Sequence, residues 1–205
     1  AAGYVALTPV SQAGVGTGTS VDPYRVTTIA NAGTLQITQT DSYVEGQESY
    51  RTDTRITNNG LTTVTIVLYK AADCYLQNSD DGYGAHDPIT GSVSCVAEAE
   101  GGGRGQRIEQ FYPLSPGSSY IQARYGDVWT AVGTQAPFPN TCAECDNAVD
   151  NGAGLSWRFD LDPGATATRS HLTTFSPLGI GPLSTTKTAD SPTTAAGGSN
   201  GYTVT

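Results

Sequence analysis

From Leu155 to Asp162 the chain alternates without a fault. Leu155, Trp157, Phe159 and Leu161 are apolar, and Ser156, Arg158, Asp160 and Asp162 are polar. Period two is the repeat of a pleated strand with one face buried; wound into a helix, the same residues would scatter their apolar groups around the axis. Asp162-Pro163-Gly164 follows as a turn, with proline presetting φ and glycine taking the permissive position, and Ala165 to Thr174 reads as the returning strand of a hairpin. The pattern recurs at Tyr50 to Thr57, followed by Asn58-Asn59-Gly60, a strong short hairpin signal. The next segment, Leu61 to Tyr69, is apolar on both faces and reads as the other arm of that hairpin and as a central strand.

Further strands are predicted at Tyr4–Val10, Pro23–Ala30, Leu35–Thr40, Ser92–Ala97, Arg107–Tyr112 and Ser118–Tyr125, with a turn or two of helix only at Gly126–Gly133. Many short strands separated by Gly, Pro and Asn predict an all-β fold, an antiparallel β-sandwich. Two stretches, Asp73–Gly91 and Ala136–Gly154, resist strand assignment and read as long loops. Loops of such length are usually functional or stapled, and each contains cysteine.

The four cysteines are Cys74, Cys95, Cys142 and Cys145. Three pairings are open and spacing does not choose among them; the local bridges Cys74–Cys95 and Cys142–Cys145 are the expectation. The Cys142-Ala-Glu-Cys145 spacing also fits a redox dithiol, but Glu144 and Asp146 would raise a thiol pKa, and no helix start is at hand to lower it. A zinc site needs two close ligand pairs, and Cys74 and Cys95 are too far apart to make one.

Disulfides place the chain in an oxidising compartment. The absence of methionine and the start at Ala1-Ala2-Gly3 fit a secreted protein whose leader has been removed, and fit an excised fragment equally. A net charge of −9 argues against nucleic acid and anionic membrane surfaces as partners. No apolar run reaches the ~18 residues that a spanning helix requires. The expected setting is extracellular, secreted or at the cell surface.

Candidate sites are few. Asn78 to Asp87 supplies three carboxylates, Asp80, Asp81 and Asp87, among glycines that bend the backbone, which suits a hard cation such as calcium. The same residue types are what loops are made of, and the spacing is not that of an EF-hand. Tyr120, Tyr125 and Trp129 lie close in sequence and offer faces on which a glycan could stack, while Trp157 belongs to the core by its register. The two histidines, His86 and His171, sit in no nucleophile elbow or zinc motif; His171 is expected in a strand with its ring satisfied.

The end of the chain has a character of its own. Lys187-Thr-Ala-Asp190 begins a short polar strand, a Gly-Gly-Ser-Asn-Gly turn follows, and Tyr202-Thr203-Val204-Thr205 alternates as a second strand. Two strands alone are marginal in water, so such a tail calls for a sheet to join. This run resembles the opening of the Ig-like repeat found in tandem in large bacterial surface proteins. The segments Ser49-Tyr-Arg-Thr-Asp53, Asp73-Cys-Tyr-Leu-Gln-Asn-Ser-Asp80, Asp150-Asn-Gly-Ala-Gly-Leu-Ser-Trp157 and Ser170-His-Leu172 resemble secreted domains that precede such repeats in high-GC Gram-positive bacteria. The resemblance implies a cell-surface location and a sandwich of the large super-sandwich kind. It carries over no catalytic residues.

The expected organisation is a β-sandwich domain over residues 1–181 and a Pro/Gly-rich linker with a strand-forming tail over 182–205. The expected function is structural or adhesive rather than catalytic. Tyr202 to Thr205 would add to the sheet of a neighbouring copy or surface domain. A carbohydrate-binding or carbohydrate-processing module is the alternative.

Overall fold

The computed structural model describes residues 7–175, 187–189 and 202–204. The described residues are all-β with one short helix. Its strands, in chain order, are β1 (Thr8–Val15), β2 (Tyr24–Ala32), β3 (Leu35–Tyr43), β4 (Ser49–Asn58), β5 (Val64–Asp73), β6 (Asp81–His86), β7 (Val93–Glu98), β8 (Arg104–Pro113) and β9 (Ser118–Arg124). The helix α1 (Tyr125–Gly133) follows, then β10 (Thr141–Cys142), β11 (Val149–Leu161), β12 (Thr166–Thr174), β13 (Lys187–Ala189) and β14 (Tyr202–Val204). Residues 4–6 of the expected Tyr4–Val10 strand lie outside the described residues.

One continuous sheet folds over to make the two layers of a sandwich. The larger layer runs β1-β2-β3-β4-β12-β8-β7-β6, and the smaller runs β5-β11-β9-β10. The long strand β11 makes the passage between them. Its first residues, Val149 and Asp150, pair with β6, and the rest pairs with β9 on one edge and β5 on the other. Among the described residues, all strand pairings are antiparallel except the two-residue contact of β10 with β9.

The alternation in β11 does what the sequence requires. Leu155, Trp157 and Leu161 point between the layers and are buried. They meet Val93 and Cys95 of β7 and Phe111 of β8 at one end, and Ile56 of β4 and Ile66 of β5 at the other. The outer face of the smaller layer is covered in turn, by Val128 of α1 and by Phe138, packed on Ile121 and Ala123 of β9.

Both expected hairpins are corrected by this topology. β4 pairs with β3 and β12, while among the described residues β5 pairs only with β11, so Asn58-Asn59-Gly60 carries the chain from one layer to the other. Likewise Asp162-Pro163-Gly164 passes from β11 to β12 across the layers, not along a ladder. A two-residue type I′ hairpin needs positive φ at its central residues, and neither Asn59 nor Gly60 has it. The Asn58 side chain bends the chain instead, its Oδ1 accepting from Gly60 N at 2.9 Å. β5 is consequently an edge strand, not a central one. Its outer face is apolar because Tyr69 and Ala71 lie under the layer formed by α1 and Phe138.

The two expected loops also hold strand. β6 lies within Asp73–Gly91, and β10 and the first half of β11 lie within Ala136–Gly154. Glycine hid them. A Cβ on Gly84 would stand 1.9 Å from Cδ of Gln122, and one on Gly154 would stand 2.8 Å from the Phe138 ring, so these strand positions are held to glycine by close approach.

Candidate functional site

The larger layer outruns the smaller one, and a cleft of about 510 Å³ opens where the overhang begins. Its floor is the inner face of β3, β4 and β12. Register sets Asp41, Thr52 and His171 side by side on three neighbouring strands, with Gln39 opposite Thr54 beside them. One wall is Leu68 and Lys70 on the open edge of β5, backed by Trp157; Leu7, Ile37, Tyr50 and Tyr69 complete the lining.

The floor is hydrogen-bonded into one unit. Thr52 Oγ1 donates to Asp41 Oδ1 at 2.6 Å, and Gln39 Nε2 donates to Asp41 Oδ2 at 2.8 Å. Next to Thr52, His171 is 5% exposed, and its Nε2 has no hydrogen-bond partner. The expectation of a satisfied histidine ring is therefore corrected. Burial, then the nearby Lys70 ammonium, pushes the His171 pKa down to about 4 against the pull of Asp41 and Asp53, so the imidazole is neutral at pH 7. Its ring tilts against that of Trp157 at a centroid distance of 6.3 Å, and the indole N–H is already engaged by the Ser115 carbonyl at 3.2 Å.

Lys70 is the cleft's cation, and the protein constrains it. Its Nζ lies 4.8 Å from the centroid of the Phe111 ring, and its charge reaches Glu109, whose carboxyl is otherwise pushed up by burial. Behind β12, Asp53 accepts from Arg51 through both carboxylate oxygens and from Ser170 Oγ. Burial pushes its carboxyl up, and these hydrogen bonds outweigh it, holding Asp53 below the usual carboxylate range.

The residues singled out from the sequence fall elsewhere. Cys74 bridges to Cys95 across the two layers, both sulfurs deep in the core, and Cys142 bridges to Cys145 in the loop after β10. That loop is pinned by Gly84 N donating to the Glu144 carbonyl at 2.9 Å and by Ala143 N donating to the Gln122 carbonyl at 2.8 Å.

The three carboxylates considered for calcium do not converge. Asp80 and Asp81 stand at the start of β6 and Asp87 just past its end, about 20 Å of strand away. Asp87 turns back on its own loop, accepting from Ile89 N at 2.9 Å and Thr90 Oγ1 at 2.8 Å, which holds its carboxyl low. Asp80 and Asp81 lie instead near Asp73 and Asp150; burial first, and these neighbouring charges next, push the Asp150 carboxyl up. Among the described residues, no group of three or more His, Cys, Asp or Glu side chains is placed to hold a metal ion.

The aromatic trio is also divided. Tyr120 packs toward the sandwich interior, with the His86 ring stacked on it at 3.6 Å and 8°. Tyr125 and Trp129 stand one helical turn apart on α1, 42% and 40% exposed. Tyr202 to Val204 form β14, which pairs antiparallel with β13; Thr205 lies outside the described residues.

Sequence reading missed the cleft because its floor is assembled across strands far apart in the chain. Alternation gives the parity of Asp41, Thr52 and His171 within each strand, but not which strands are neighbours.

No helix among the described residues is long and apolar enough to cross a membrane. No family model matches the chain, and no curated protein does. Among solved structures it is similar to a crystal structure of heparinase III, at 10% identity and a TM-score of 0.46, over 97% of this chain and 27% of that one. The chain thus spans about a quarter of that protein's length.

Proposed function

We propose that this protein is a structural module of an extracellular surface that associates with its neighbours by strand addition. The observation that carries the reading is the open edge of β1. Among the described residues this strand pairs with β2 alone; it is exposed along all eight residues and contains no charged side chain. Sheet edges are usually blunted by charge, proline or a bulge. β1 has Pro9 and a register shift between Pro9 and Ser11, but Ser11 to Val15 carries neither. Such an edge is a template for another strand. β14, paired on one side only in a two-stranded sheet that is marginal alone, is the complementary donor. Donor and acceptor lie at different places on the chain, so the contact is head-to-tail and extends into a filament. The two disulfides suit an oxidising surroundings.

The test is sedimentation and electron microscopy of three forms: the full chain, a chain ending at Gly181, and Ala13→Lys. The full chain is expected to associate, and the other two to stay monomeric with an unchanged melting temperature. A full chain that remains monomeric at high concentration, or an Ala13→Lys variant that assembles normally, would refute strand addition at β1.

A further inference from the structure

We propose that the cleft between the two layers binds a neutral saccharide, with His171 and the Gln39–Asp41–Thr52 unit as its hydrogen-bonding floor. The observation that points to a ligand is an imbalance. His171 is buried to within 5% of full coverage, lines the cleft, and leaves Nε2 without a partner. Buried polar atoms are almost always paired, and those that are not ask for an explanation. Among the described residues no neighbouring polar group supplies one: Thr52 and Gln39 turn their donors to Asp41, and no acceptor or donor comes within hydrogen-bond reach of Nε2.

A sugar hydroxyl fits this floor better than other groups do. In a neutral imidazole Nε2 is either donor or acceptor, and a hydroxyl satisfies both cases. Asp41 has lone pairs left to accept from an adjacent hydroxyl, and the Gln39 carbonyl offers another acceptor beside it. The part-exposed apolar flank of Leu68 and Ile37, with the buried Trp157 behind it, is available to the C–H face of a pyranose ring. A cleft of about 510 Å³ lies within the ~300–1,000 Å³ of small-molecule sites.

Charge selects the neutral class. The floor presents a carboxylate, the chain carries a net −9, and the Lys70 ammonium is engaged over Phe111 within reach of Glu109. A uronate or sugar phosphate would meet Asp41, while the Lys70 ammonium lies over the Phe111 ring and shares its charge with Glu109. An extended peptide laid along the β5 edge is the rival occupant. It would pair the open main chain of β5 and leave the imidazole and the floor unused.

The experiment is an NMR titration of the full chain, following the Trp157 indole and His171 ring signals. The probes are glucose, galactose, mannose and N-acetylglucosamine, the disaccharides cellobiose, maltose and lactose, glucuronate, and the peptide Tyr-Thr-Val-Thr. At least one neutral sugar is expected to move both signals saturably. Gln39→Ala, at an exposed position, should weaken that binding about tenfold with the melting temperature unchanged. Thr52→Val, which keeps the side-chain volume, should weaken it as well. Movement by glucuronate alone, by the peptide alone or by none of the probes overturns the proposal, as does a Gln39→Ala variant that binds like the parent. Tail-strand assembly is scored separately by sedimentation, so either idea can fail without the other.

Discussion

The side-chain amide of Asn58 donates to the main-chain carbonyl of Leu161 at 2.9 Å, across 103 residues of chain. The same amide donates to the Thr62 carbonyl at 2.8 Å, and Oδ1 accepts from Gly60 N. The backbone of Asn58 is used as fully. Its N–H donates to the Ala165 carbonyl at 3.0 Å, and its carbonyl accepts from Gly164 N at 2.8 Å. One fully buried residue therefore ties together the two passages by which the chain changes layers, from β4 to β5 and from β11 to β12.

Asn58→Ala removes both side-chain donors, leaving the buried Leu161 carbonyl and the part-buried Thr62 carbonyl without them and a cavity at a fully buried position. Each unsatisfied group costs about 1–3 kcal/mol, so the variant should lose about 3 kcal/mol of stability in urea unfolding. Asn58→Asp should be at least as damaging, since it also lacks the donors and adds a buried charge. A loss below about 1 kcal/mol in both variants would show that the two crossovers hold without the stitch.

Gly84→Ala tests the close approach of β6 to β9. The new Cβ would fall 1.9 Å from Cδ and 2.1 Å from Oε1 of Gln122, a fully buried side chain. Gln122 is not free to withdraw, because its Oε1 accepts from Glu144 N at 3.1 Å. Overpacking of this kind destabilises by about 1–3 kcal/mol. The double variant Gly84→Ala with Gln122→Ala should recover much of that loss relative to Gln122→Ala alone, read as a coupling energy in a double-mutant cycle.

The bridges should differ in weight. Cys74–Cys95 spans 21 residues and closes the two layers on each other, so replacing both cysteines with alanine is expected to cost about 3 kcal/mol. Cys142–Cys145 spans 3 residues and should contribute less, because a short loop removes less freedom from the unfolded chain. Urea unfolding of the two double-alanine variants decides the order.

The all-β class, the strands at Tyr50–Thr57, Leu155–Leu161 and Ala165–Thr174, the short helix and the local disulfide pairing were legible because each depends on near neighbours in the chain. What was illegible is the path between layers. Asn58-Asn59-Gly60 and Asp162-Pro163-Gly164 mark reversals correctly, yet a turn signal states where a chain bends and not which sheet receives it. Glycine misled in the opposite sense. At Gly84 and Gly154 it sits inside strands because neighbouring side chains approach the backbone, while in sequence it reads as a loop. The cleft stayed hidden for a third reason. Asp41, Thr52 and His171 become neighbours only through the β3-β4-β12 order, which brings residues 130 positions apart into one row.

His171 gives the fold a defined response to acid. Its pKa is about 4 in the folded protein, against 6.5 for the free side chain. Between these values the unfolded chain binds the proton that the folded one refuses, so stability falls as pH drops from about 6.5 to 4 and levels off below. A difference of this size amounts to about 3 kcal/mol. Other groups act in the same range or close to it. Glu109 and Asp150, with raised pKa values, favour the fold as they protonate on acidification, and Asp53, with a lowered one, withdraws its support only once pH falls below the ordinary carboxylate value of 3.8. Lys70, Asp41 and Asp53 are the charges that act on His171 itself. Comparing the parent with His171→Gln at each pH subtracts the contributions common to both. The parent's advantage should shrink by about 3 kcal/mol from pH 7 to pH 4 in urea unfolding. A difference that stays constant over that span would mean that the ring takes up its proton in the fold as readily as the free side chain does, and with it that the floor of the cleft carries a positive charge below about pH 6.5.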